Sequence, residues 1–140
     1  DLMPVVDKVP DESKCVTIPK GLITCMRTIN EQCVRQLNGE LDESYIQDIM
    51  RTGRCEIDRK YYDIAKDEIE AFCERVYNSI REYGYNLATT PIVFVGGASV
   101  MKLFGGLNQN NISYITDIRA NAKGYEQLAL MALRKMKKLA

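Results

Sequence analysis

The sequence predicts an α/β domain, a short mixed sheet flanked by helices and carrying a helical insertion. Three observations lead there. Apolar residues make up 46% and charged residues 27% of 140, the balance of a chain that can bury one core. The hydrophobic pattern switches to helical spacing at Gly21. Strand-like runs then alternate with helices in the C-terminal half, as in a layered α/β arrangement.

Leu2–Asp7 and Lys14–Pro19 are β-prone runs. Lys8-Val9-Pro10-Asp11-Glu12-Ser13 between them has turn chemistry, so the two runs are expected to form a hairpin. Pro4 belongs at an edge or bulge because it has no N–H for the ladder. Leu22, Ile23, Met26, Ile29, Cys33, Val34 and Leu37 then recur at helical spacing, and Asn38-Gly39 ends that helix. A short helix follows, with Asp42 as N-cap and Leu41 and Ile46 as a hydrophobic staple. Tyr45, Ile46, Ile49 and Met50 form its apolar side, and Gly53 ends it. Asp58 opens the longest helix by the same logic, with Ile57 and Tyr62 as staple. Its stripe is Tyr61, Ala65, Ile69, Phe72, Val76, Ile80 and Tyr83, closed by Gly84. The two helices over 42–83 are expected to form an insertion between the hairpin layer and the later strands. Pro91–Val95 is an unbroken apolar run, the mark of a strand covered on both faces. Gly96-Gly97 turns into a short helix over Ala98–Phe104, and Ile112–Ile115 is another strand. A last helix runs from about Arg119 to the end. Its Arg134, Lys135, Lys137 and Lys138 suit the negative end of the helix dipole.

Several function classes are disfavoured at once. Lys+Arg is 19 and Asp+Glu is 19, so the chain lacks the cationic surplus that direct nucleic-acid binding needs. There is no His, which removes Ser-His-Asp and Cys-His nucleophile pairs and every His-containing metal site. Cys15, Cys25, Cys33, Cys55 and Cys73 form no CxxC, so they are expected to be buried free thiols in a reducing cytosol. No apolar run approaches the roughly 18 residues of a membrane span. Acidic clusters such as Asp42/Glu43, Glu56/Asp58 and Asp67/Glu68/Glu70 fall on solvated helix sides, so no metal site and no carboxylate pair is expected. The chain opens abruptly at Asp1-Leu2-Met3-Pro4, which suggests a piece of something longer.

Chemistry has three candidate locations. Ile92–Val95 runs into Gly96-Gly97-Ala98-Ser99. Ligands of open α/β sheets bind beyond the carboxyl ends of strands, glycines admit a ligand close to the backbone, and helix starts attract anions. The competing explanation is a turn shaped by packing alone. Lys20–Thr28 places Thr24, Arg27 and Thr28 on one polar side at i, i+3 and i+4, suited to a ribose or base or simply to solvent. Asp117–Glu126 carries Ala120, Ala122 and Gly124, which allow either a ligand or a neighbouring helix to approach closely.

Taken in order, these segments resemble the C-terminal lobe of bacterial actin-like ATPases of the ParM/StbA plasmid-segregation type. Ile92-Val93-Phe94-Val95-Gly96-Gly97-Ala98 resembles the adenosine motif of the actin/Hsp70/sugar-kinase superfamily, whose lobes share a ribonuclease-H-like fold. Tyr114–Tyr125 resembles that fold's final strand and the small-residue helix after it. Asp1–Val6 resembles the strand following the second phosphate loop, and Pro19–Thr24 the start of the helix lining the nucleotide. The resemblance implies a partial actin lobe over residues 1–140, with 38–58 as a small outer subdomain at a filament interface. It implies a parent that binds ATP/ADP with Mg²⁺, self-associates into filaments, and moves plasmid or mobile-element DNA through a DNA-binding adaptor protein. Gly96, Gly97 and Ala98 would contact the phosphate–ribose side and Met101 the base, with Thr24, Arg27 and Thr28 on the opposite wall. The phosphate loops and a central strand are absent from the chain. It is therefore expected not to hydrolyse ATP, to bind nucleotide weakly or not at all, and to distort its sheet or borrow an edge from a second copy.

Two alternatives stand beside this one. The first is a lobe of another superfamily member, such as a sugar kinase or Hsp70-like protein, since the Gly-Gly turn is shared. The second is a non-enzymatic interaction module.

Overall fold

The computed structural model describes residues 2–7, 9–11, 13, 21–116 and 129–134. At the N-terminus β1 (Val5–Val6) pairs antiparallel with β2 (Val9–Pro10), in the register Val5↔Pro10 and Val6↔Val9. The hairpin is therefore much tighter than the expected pairing of Leu2–Asp7 with Lys14–Pro19. Asp7 takes φ 51, a left-handed conformation that Asp tolerates, and the chain reverses there instead of across 8–13. Pro4 precedes β1 and its carbonyl accepts a hydrogen bond from the Asp11 N–H at 2.8 Å. Residues 14–19 lie outside the described residues.

Helix α1 spans Leu22–Leu37 and ends on Asn38, whose φ of 60 directs its N–H to the Val34 carbonyl. Its buried line is Cys25, Ile29 and Cys33, a four-residue repeat. Ile23 is 76% and Val34 44% exposed, against the expectation that they share this face. At 3.6 residues per turn Ile23 lies about 200° round the helix from Cys25. Helix α2 (Glu43–Thr52) is capped by Asp42, whose carboxylate accepts from the Ser44 N–H at 2.8 Å and Oγ at 2.7 Å. Those bonds hold the Asp42 carboxyl below the usual carboxylate range. The Gly53 N–H closes α2 onto the Ile49 carbonyl. Leu41 and Ile46 are both buried, as a staple requires.

Helix α3 (Arg59–Glu82) starts on Asp58, which accepts from the Lys60 N–H. It ends where Tyr85 N–H reaches back to the Ile80 carbonyl. It is the central helix of the core, in contact with α1, with α2 and with α4 (Ala98–Phe104). Because α3 is covered from several sides, its buried set is wider than a single stripe. Cys73 and Tyr77 join Ala65, Ile69, Phe72 and Ile80, while Tyr83 stays 50% exposed.

Strands β3 (Ile92–Val95) and β4 (Ile112–Ile115) are parallel, with Ile92 opposite Ile112 and Val95 opposite Ile115. Helix α4 forms the connection between them, giving one βαβ unit. The Asn111 side chain fixes the start of this unit by donating to the Leu87 and Thr90 carbonyls at 2.8 and 2.9 Å. Phe94 stacks on Tyr114 at 5.7 Å and meets the edge of Tyr77 at 6.3 Å, which seats the sheet on α3. All four β3 residues are half-buried, short of the full burial its apolar run suggested. The described residues form two separate two-stranded sheets, one antiparallel and one parallel, in place of the single mixed sheet expected. The α/β class holds. Residues 129–134 are helical, within the last helix expected from the sequence.

Candidate functional site

Strand β3 delivers the chain to Gly96 and Gly97, which take φ 65 and 66 in succession. Side chains at such positions cost about 1–2 kcal/mol each in backbone strain. The Gly97 carbonyl then accepts from the Val100 N–H at 3.1 Å and the Met101 N–H at 3.5 Å, starting α4. The two glycines differ in their surroundings. Among the described residues a Cβ at Gly96 would meet nothing within 4 Å, whereas one at Gly97 would lie 2.7 Å from the Leu22 Cδ1. The first residue of α1 thus rests on the turn, and the fold brings together two of the three candidate segments. The link is a tertiary contact between residues 75 positions apart, which no local pattern in the sequence signals.

The other candidate side chains differ in burial and engagement. Thr24 is half-buried and Arg27 is exposed. Among the described residues no carboxylate pairs with Arg27. The Thr28 hydroxyl donates to the Thr24 carbonyl at 3.0 Å, so it is engaged within α1. Ala98 and Met101 are 2% and 4% exposed. Both sit on the inner side of α4, so the Met101 thioether faces the core and does not line the turn. Asp117–Glu126 falls outside the described residues.

The three buried cysteines, Cys25, Cys33 and Cys73, offer packing and no activated nucleophile, and Cys55 is half-buried against the expectation of full burial. Burial pushes the Cys25 thiol up to about 11, with Arg75 opposing and Glu68 adding to the rise. Burial likewise pushes Cys73 up to about 12, reinforced by Cys25, Glu70 and Glu74. Cys33 is raised by burial alone. The Cys25 and Cys73 thiols donate long bonds, 3.8 Å each, to the Glu68 and Val100 carbonyls. A reactive thiol needs a depressed pKa and access to solvent, and these have neither. In the unfolded chain the same thiols titrate near their usual 9.0. Above that pH the unfolded state sheds protons that the folded state keeps. Stability is therefore complete below pH 9 and falls as pH rises toward the folded values. Urea midpoints measured between about pH 8 and about pH 11 should decline, and Cys73→Ala should flatten that decline. A slope unchanged by Cys73→Ala would refute this account.

A groove of about 480 Å³ lies where α2 ends against α3 and α4. Arg54 and Lys66 flank an apolar floor of Leu103 and Phe104. Lys66 faces Glu70 at 3.8 Å, and Tyr62 donates to the Gly53 carbonyl at 2.6 Å. Among the described residues no three Cys, Asp or Glu side chains group to hold a cation, and no helix is long and apolar enough to cross a membrane. The chain matches no protein-family model, and neither a curated protein nor a solved structure shows significant similarity to it.

Proposed function

We propose that the chain is a nucleotide-facing lobe of an actin-like, filament-forming ATPase that segregates plasmid or mobile-element DNA through an adaptor protein. One observation carries the proposal. The Gly96-Gly97 turn lies at the carboxyl end of a parallel strand, opens into α4, and has the first turn of α1 against it. Parallel βαβ units bind ligands at that end, and among the described residues nothing stands over Gly96 to block backbone contact with a phosphate or ribose.

On this reading Gly96 and Gly97 hold the adenine nucleotide, and Thr24 and Arg27 of α1 are proposed as its opposite wall. Met101 is not available to the base while it remains in the core. The described residues supply no carboxylate set for Mg²⁺, so no step of phosphoryl transfer is assigned to them. Such transfer depends on positioning and on charge stabilisation around the phosphates. The chain is thus expected to contact nucleotide weakly and to leave it intact.

Titration with Mg·ADP at millimolar concentration, followed by backbone-amide NMR, is the test. Shifts should cluster at Gly96, Gly97, Ala98 and Thr24, and a coupled ATPase assay should stay at the blank rate. Shifts that cluster elsewhere overturn the nucleotide assignment. Steady hydrolysis overturns the assignment of inactivity.

A further inference from the structure

We propose that Leu22 is a plug built into this site, closing the Gly97 half of the turn until the leucine side chain swings aside. The proposal rests on the nucleotide assignment above and specifies how the site is regulated.

A glycine in a strand-to-helix turn leaves a space that a ligand can enter. Among the described residues that space is open at Gly96, but at Gly97 it is filled by the Leu22 isobutyl group, 2.7 Å from where a Cβ would sit. The filling group is well placed to move. Leu22 is the first residue of α1 and is half-buried. Gly21 before it has no side chain to hold the leucine, and its carbonyl accepts the first bond of the helix, from the Cys25 N–H at 3.2 Å. A leucine has alternative staggered wells, so rotation about its side-chain bonds can uncover Gly97 without displacing the α1 backbone. Leu22 also packs against the core, so uncovering Gly97 gives up apolar contact and the closed arrangement is the resting one.

A ligand that requires the open arrangement binds in proportion to the fraction already open. If about one molecule in ten is open, deleting the plug tightens apparent affinity about tenfold. The same coupling works in reverse, since a ligand seated at Gly97 holds Leu22 off the turn and so biases the first turn of α1.

The experiment repeats the Mg·ADP amide titration on wild type and on Leu22→Ala. Leu22→Val serves as the second variant, decided by the same criterion if Leu22→Ala loses its dispersed spectrum. The expected result is a dissociation constant about tenfold lower in the variant, with the added shifts centred on Gly97. Wild-type shifts at the turn that do not tighten in a folded variant overturn the plug and leave the nucleotide assignment standing. Silence in both proteins overturns both.

Discussion

Gly105→Ala should destabilise the fold by about 3 kcal/mol, at the upper end of what one added methyl costs in a filled core. The backbone itself would accept alanine, because Gly105 has φ −75 and ψ −23, ordinary right-handed geometry. The obstacle is space. A Cβ at Gly105 would run into the Tyr77 hydroxyl and the Met101 carbonyl. Tyr77 is 1% exposed at the junction of α3, β3 and α4, and its ring is held edge-on to Phe94, so it has little freedom to withdraw. Its hydroxyl finds no hydrogen-bond partner among the described residues. Nearby Tyr114 gives its own proton to the Leu107 carbonyl at 2.8 Å. Burial accordingly pushes the Tyr77 phenol well above its usual range.

Tyr77→Phe alone should therefore be neutral or stabilising, since it removes a buried hydroxyl that finds no close partner among the described residues. Tyr77→Phe combined with Gly105→Ala should recover about 1–2 kcal/mol of the loss, because the phenyl ring leaves the oxygen's space to the new methyl. Recovery stays partial, as the Met101 carbonyl still faces the methyl. Urea unfolding of the four proteins in this cycle, with unchanged slopes, provides the measurement. Strictly additive effects would show that the phenol is not what excludes a side chain at Gly105.

What could be read from the sequence follows the range of the interactions involved. Asn38, Asp42, Gly53 and Asp58 mark helix ends in the structure where they do in the sequence, because capping is a matter of a few neighbouring atoms. Faces are harder. Ile23 and Val34 fit a helical apolar spacing as well as Cys25 and Cys33 do, and only the position of α3 decides which line is buried. Tyr77 escaped notice because α3 is covered from more than one side. In α4, seven residues long, the spacing cannot tell an inward Met101 from an outward one. At the hairpin, Val9-Pro10 has loop chemistry, yet the positive φ of Asp7 turns the chain early enough to make it a strand. The Gly-Gly turn itself was legible at the end of an apolar run. Its contact with Leu22 was not, since that contact depends on where α1 settles against the sheet.

That contact makes the two glycines of the turn inequivalent in a measurable way. Gly96→Ala should cost about 1–2 kcal/mol, the strain of a side chain at φ 65 with open space around it. Gly97→Ala bears the same strain at φ 66 and adds overlap with Leu22, so its cost should reach about 3 kcal/mol. The difference belongs to a leucine methyl, so it should vanish when the methyl does. In a Leu22→Ala background the extra cost of Gly97→Ala should drop to that of Gly96→Ala, a coupling of about 1–2 kcal/mol between residues far apart in sequence. Gly96→Ala should show no such dependence on Leu22, which makes it the internal control. Thermal and urea unfolding of the single and double variants decide the matter. If Gly96→Ala and Gly97→Ala cost the same in the wild-type background, Leu22 does not cover the turn. The space over Gly97 would then be open to a ligand from the start, and the plug would have nothing to close.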